Sequence, residues 1–110
     1  MKGSLSPAEL VRVAERFKAL GEPARLRMLD ALRHGEMAVS ELITATGLGQ
    51  ANVSKHLQIL HAAGLVARRK EGLFVYYSLA DRDVLLLCDI MCDRVERQGD
   101  AGLRRFGTGA

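Results

Sequence analysis

The net positive charge of this 110-residue chain lies in one thirty-residue stretch, residues 48–77. The stretch holds four basic residues and one acidic residue, so it carries the whole formal charge of +3 while the rest of the chain balances. The basic residues are Lys55, Arg68, Arg69 and Lys70. Lysine and arginine bind phosphate, and no nucleophile with a neighbouring base or carboxylate pair accompanies them. This chemistry favours a binding protein for nucleic acid over an enzyme.

Two short helices joined by a glycine-containing turn position these side chains. Apolar spacing predicts helices over about 39–46 and 50–63. The second helix has an apolar face and an opposite face of small, polar and basic residues. Such a face suits a major groove about 12 Å wide, as in a helix-turn-helix. The residues expected to face the groove are Gln50, Ala51, Asn52, Ser54, Lys55 and Gln58.

The hydrophobic period then changes from 3.6 to 2, which predicts a β-hairpin with strands over 65–70 and 73–79 around Glu71 and Gly72. Gly72 supplies the positive φ of a tight turn. The two faces of the preceding helix are also those of an ordinary amphipathic surface helix. That alternative does not explain a basic hairpin beside it. We interpret the hairpin as a wing that contacts the DNA backbone through Arg68, Arg69, Lys70 and Gly72.

The remaining patterns predict three further helices, in the overall order α-α-α-α-β-β-α. They are expected from residue 7 to 20, from 23 to 34 and from 82 to 97, forming one mainly α domain over residues 1–97. The glycine-containing tail, residues 98–110, is expected to be flexible. The apolar run 84–88 is too short to span a membrane, no apolar signal segment opens the chain, and two cysteines form no disulfide scaffold. We therefore expect a cytoplasmic protein.

The last predicted helix is apolar nearly all round in its first half. A helix of this kind must be covered on more than one side, and a core this small covers only one. We therefore expect a homodimer through the first and last helices. The expected interface residues are Leu10, Val13, Phe17, Leu85, Leu86, Ile90 and Met91.

Several segments resemble the ArsR/SmtB family of metal- and stress-responsive winged-helix repressors. These are FKALGEPARLRML (17–29), GLGQANVSKHL (47–57), AGLVARR (63–69) and GLFVYYSL (72–79). The resemblance implies a homodimeric repressor that binds an inverted-repeat operator and leaves it when an inducer is sensed. His56 matches the family's histidine in Ser-x-His-Leu, which implies a positioning or phosphate-contacting role. Gly49, Ala51 and Leu73 depart from the family's usual residues, which could change operator sequence or affinity.

Two metal sites that the resemblance would imply lack their ligands in this sequence. Ala38 and Ser40 stand where the family's third-helix cysteines belong. In the terminal-helix zinc pattern, two ligand positions hold the cations Arg94 and Arg97. Asp30 likewise replaces the first cysteine of the family's persulfide-sensing branch.

Cys88 and Cys92 are then the candidate sensor. Their i, i+4 spacing puts both thiols on one helical face, with Cβ atoms about 5–6 Å apart. Two such pairs across a dimer could bind trivalent arsenic or another soft metal ion, or respond to an oxidant. The alternative is that both are small buried residues of the interface. A second alternative is a winged helix that binds protein, or binds DNA without sensing.

Overall fold

The computed structural model describes residues 3–105, with side chains to residue 99. The described residues form five α-helices, a short 3-10 turn and three strands. They are α1 (Pro7–Leu20), α2 (Pro23–Ala31), the 3-10 turn (Leu32–His34), β1 (Met37–Ala38), α3 (Val39–Thr46), α4 (Gln50–Ala62), β2 (Val66–Glu71), β3 (Phe74–Leu79) and α5 (Asp83–Arg105). The predicted class, mainly helical with a β-hairpin wing, is confirmed.

Two of the helices, α1 and α3, begin with hydrogen bonds between side chains and backbone N–H groups. At α1, the Glu9 backbone N–H donates to Ser6 Oγ at 3.1 Å, and the Ser6 N–H donates to the Glu9 carboxylate at 3.0 Å. At α3, the Ala38 N–H donates to the Glu41 carboxylate at 2.9 Å. Gly47 ends α3 in the left-handed region at φ 71°, so the chain reverses into α4 within three residues.

The wing is a three-stranded antiparallel sheet in the order β1-β3-β2. The two-residue β1, which periodicity could not predict, pairs Met37 with Tyr77. Glu71 pairs with Phe74, so the turn is one residue further along than expected and consists of Gly72 and Leu73. Gly72 has a φ of 60° and Leu73 does not have a positive φ, which is the pattern of a type II′ turn.

One apolar core joins the helices to the root of the wing. Its fully buried side chains come from α2 to α4, and Leu65, Val66 and Tyr77 extend it into the hairpin. The largest of them are Met28, Leu29, Leu32, Leu42, Val53, Leu57 and Leu60. Since α4 contributes three of these anchors, its opposite face is held outward in a fixed orientation.

The last helix is longer than the sequence pattern predicts. It was expected to end near Arg97, but α5 ends at Arg105, so the predicted tail is helical from Gln98 to that point. Gly99 and Gly102 each cost only about 0.5–1 kcal/mol in a helix, and no proline follows to stop it. Residues 106–110 of the predicted tail lie outside the described residues. No helix within residues 3–105 is long and apolar enough to cross a membrane.

Candidate nucleic-acid interface

The outer face of α4 presents the side chains that the sequence predicts for the DNA groove. Five of the six are exposed and Ser54 is half-buried. The exposed ones are Gln50, Ala51, Asn52, Lys55 and Gln58. On the opposite side, Val53 and Leu60 are 0% exposed, so the polar face is directed away from the core.

The N-terminus of α4 also fits an anionic partner. Its N-cap is Gly49, which has no side chain to accept a bond from the first-turn N–H groups. No side chain at the N-cap therefore competes for those groups, and the neighbouring Gln50 and Ala51 are exposed. A DNA phosphate is the usual occupant of such a position.

An open groove of about 480 Å³ lies between α4 and the wing. Ser54 and Gln58 line it from the helix, and Arg68 and Lys70 line it from β2. The structure thus brings two predicted groove residues and two predicted phosphate-binding residues onto one concave surface. No carboxylate in the described part of the chain lies within ion-pair distance of either cation.

Arg69 lies on the other face of β2, because successive side chains of a strand alternate. Its guanidinium donates to both oxygens of Glu36, at 2.7 and 3.0 Å, and to Glu71 at 2.7 Å. It also lies 4.7 Å from the ring centre of Tyr76. Arg69 is therefore already bound by two carboxylates and an aromatic ring. These contacts compete with the phosphate contact that the sequence predicts for it. These hydrogen bonds raise the pKa of Arg69 and lower that of Glu36.

His56 lies on α4 but not on its outer face. Its side chain is 14% exposed, with Nδ1 3.1 Å from Arg25 Nη1 and Nε2 3.5 Å from Glu22 Oε2. Of the two roles that the resemblance leaves open, this burial favours positioning over contact with phosphate. The sequence analysis did not single out Glu22 and Arg25 as partners, since they are 31 or more residues away along the chain.

A second surface of α1 and α5 is apolar and exposed. Phe17 is 55% exposed, and Ile90 and Met91 are 60% and 62% exposed. Its other exposed members are Leu10, Val11, Leu86, Leu87 and Val95. Two predicted interface residues differ. Val13 is half-buried, and Leu85 is only 6% exposed because it packs inside the protomer.

The two cysteines border this surface. Cys88 is half-buried and Cys92 is exposed, and both line an apolar groove of about 540 Å³ between α2 and α5. Burial, reinforced by the neighbouring Asp89, raises the pKa of the Cys88 thiol. The Cys92 thiol donates to Glu96 at 3.8 Å. Asp89 in turn accepts two hydrogen bonds from Arg33, at 2.8 and 3.1 Å.

The residues at the family's metal positions do not fit a metal ion. Ala38 and Ser40 carry no thiol, and Arg97 forms an ion pair with Asp93 at 2.9 Å. Within the described residues, no group of three or more His, Cys, Asp and Glu side chains is placed to hold a metal. Of the ligands considered for a soft metal ion, the described residues contain the two thiols of Cys88 and Cys92.

A recognition helix with a flanking wing defines a winged helix-turn-helix protein. Residues 22–68 match the family model described as bacterial regulatory protein, arsR family. The transcriptional repressor SmtB homolog of Synechocystis is 40% identical over 77% of this chain, and the chain spans 64% of that relative's length. The uncharacterized HTH-type transcriptional regulator Rv0081 of Mycobacterium tuberculosis is 37% identical over 74% of this chain and 80% of its own.

Solved structures agree with the sequence relatives. The winged helix-turn-helix domain of Mycobacterium bovis Mb0332, which is homodimeric in solution, superimposes with a TM-score of 0.77 at 37% identity. The match covers 92% of this chain and 95% of that fragment. This chain belongs to the ArsR family of bacterial regulatory proteins. Its fold is that of the DNA-binding winged helix-turn-helix domain of these regulators.

Proposed function

We propose that this chain is a homodimeric, cytoplasmic repressor that binds an inverted-repeat operator and is released by an inducer. Each protomer places the outer face of α4 in a major groove, where Lys55 and Gln58 reach base edges. Arg68 and Lys70 bind the phosphates beside that groove. The two recognition helices of the dimer then lie about 34 Å apart, one turn of DNA.

One observation carries the DNA-binding part of this proposal. Ser54 and Gln58 on α4 share a concave surface with Arg68 and Lys70 on β2. We expect the two polar side chains of α4 to meet base edges and the two cations to meet phosphates. This arrangement combines contacts that read sequence with contacts that add affinity without reading it.

The apolar surface of α1 and α5 supports the dimer. Its exposed members include Phe17, Ile90 and Met91, which a single protomer leaves in water. Several large apolar side chains exposed on two helices are typical of a protein–protein interface. The homodimeric state of the Mycobacterium bovis relative agrees with this part of the proposal, and the repressor name of the Synechocystis relative agrees with the proposed repression.

The candidate sensor is the pair Cys88 and Cys92. Both thiols border one groove beside the proposed dimer surface, so two protomers could offer four sulfurs. A soft thiophilic species such as trivalent arsenic suits this donor set. Because burial raises the pKa of Cys88, binding at neutral pH must displace a thiol proton.

The test is selection of duplex DNA from a random library, followed by salt titration of the selected duplex. We expect an inverted repeat to be enriched. We also expect affinity to fall by about 10³-fold or more between 50 and 200 mM salt, as for a protein with 6–10 phosphate contacts. Lys55→Ala should weaken binding to the selected duplex more than to random duplex. Salt-insensitive binding or no enrichment would overturn the proposal in favour of a protein-binding winged helix.

A further inference from the structure

One arginine of α2 connects the end of α1 to the middle of the recognition helix. Arg25 Nε donates to the Ala19 carbonyl at 2.6 Å, and Nη2 donates to the Lys18 carbonyl at 3.4 Å. Its remaining terminal nitrogen, Nη1, lies 3.1 Å from His56 Nδ1 on α4. All three nitrogens of the guanidinium are thus engaged, and they join three helices.

The chemistry of the guanidinium determines which tautomer His56 adopts. Because the guanidinium has no acceptor, His56 Nδ1 must accept the hydrogen bond and the ring hydrogen is on Nε2. Nε2 is 3.5 Å from Glu22 Oε2, an oxygen that is buried and has no hydrogen-bond partner among the described residues. The ring therefore lies between a donor on one side and an acceptor on the other.

We propose that His56 is a positioning residue, which sets the rotation and depth of α4 through Arg25 and Glu22. This inference rests on the proposed DNA-binding function. His56 is adjacent to Lys55 and one turn from Asn52, so a small rotation of α4 at this point displaces both groove residues. Alanine at position 56 has no group that could bind Arg25, so it would not hold α4 in this orientation. A ring at position 56 that did not bind Arg25 would not hold it either.

The same arginine extends the effect to the far side of the protomer. The carbonyls it binds belong to the last turn of α1, between Phe17 and Leu20, which border the groove that holds both cysteines. A displacement of α1 therefore acts on α4 through Arg25. This gives the apolar surface a direct connection to the DNA-reading face.

The experiment is a double-mutant cycle measured on the selected duplex. Arg25→Ala, His56→Ala and the double variant should each lose about tenfold in specific affinity, with the double variant no worse than either single variant. His56→Asn keeps an acceptor near the Nδ1 position and should retain affinity within about threefold of wild type, while His56→Gln should not. The exposed His61 on the same helix provides the control, and His61→Ala should bind like wild type.

The salt dependence separates positioning from a direct phosphate contact. A positioning residue leaves the slope of log affinity against log salt unchanged in every variant. A slope lower by about one for His56→Ala, with additive losses and no rescue by asparagine, would overturn the proposal.

If wild type binds no duplex, the proposed function fails, but the positioning role does not fail with it. A second readout covers this case. Hydrogen exchange of the α4 amides should then be faster in His56→Ala than in wild type and His56→Asn. Equal exchange in all three proteins would refute the positioning role. The same comparison of His56→Asn with His56→Gln applies if the alanine variants do not fold.

Discussion

Arg69 and Glu36 form a two-point ion pair that ties the wing to the segment before β1. Nη2 lies 2.7 Å from Oε1 and Nε lies 3.0 Å from Oε2. The three basic residues of β2 therefore fall into two groups. Arg68 and Lys70 face the α4 groove, whereas Arg69 connects β2 to Glu36, the residue before β1.

The first prediction compares the adjacent arginines of β2. Arg68→Ala should weaken binding to selected and random duplex alike, and lower the salt slope by about one, because a phosphate contact is lost. Arg69→Ala should keep the salt slope and lower the Tm by a few degrees at most, since exposed ion pairs contribute little to stability. Salt titrations and thermal melts of both variants provide the measurement. A lower slope for Arg69→Ala would place that residue on DNA after all.

The second prediction concerns stability in acid. Hydrogen bonds from Arg69 and Arg33 lower the pKa values of Glu36 and Asp89 in the folded protein. A carboxyl group with a lowered folded pKa stabilises the protein above its unfolded pKa, and that stability is lost as pH falls through the folded value. The Tm of wild type should therefore fall more steeply than that of Arg69→Gln between about pH 5 and pH 3. Parallel curves for the two proteins would contradict this assignment.

The third prediction tests the apolar surface of α1 and α5. Ile90→Glu places a charge in the proposed interface and should shift the protein from dimer to monomer in sedimentation velocity. Its affinity for an inverted repeat should fall at least tenfold, because two half-sites are no longer bound together. Leu73→Glu is the matched control, since Leu73 is 97% exposed at the wing tip and should leave the dimer intact. Dissociation by both variants, or by neither, would argue against this surface.

The fourth prediction tests Cys88 and Cys92 as a sensor. Arsenite should release wild type from the selected duplex, and should not release the Cys88→Ser/Cys92→Ser variant, which lacks both soft ligands. Fluorescence anisotropy of labelled duplex gives the measurement, and binding without arsenite is the control for folding. If the double variant responds like wild type, or wild type does not respond, the cysteines only pack.

Local sequence was sufficient to predict the elements that build the DNA-reading surface. The glycine-containing turn before α4 and the change to period 2 are both determined within a few residues. The wing turn was displaced by one residue because the pairing of Glu71 with Phe74, not the glycine alone, sets where the ladder ends.

Three features that were not predicted depend on residues distant in sequence. β1 exists only because Met37 meets Tyr77 on β3. Strand alternation could have separated Arg69 from Arg68, but not revealed Glu36 as its partner 33 residues away. The contact of His56 with Arg25 has the same origin, since no periodicity records which helices meet.

In the proposed repressor, the apolar surface of α1 and α5 also makes DNA binding depend on the concentration of the protein. Association with a second copy removes Phe17, Ile90 and Met91 from water and stabilises the protomer. The Tm should therefore rise with protein concentration. At low expression the population shifts to single protomers, each able to hold only half of an inverted repeat. The number of molecules in the cell would then set repression together with any inducer.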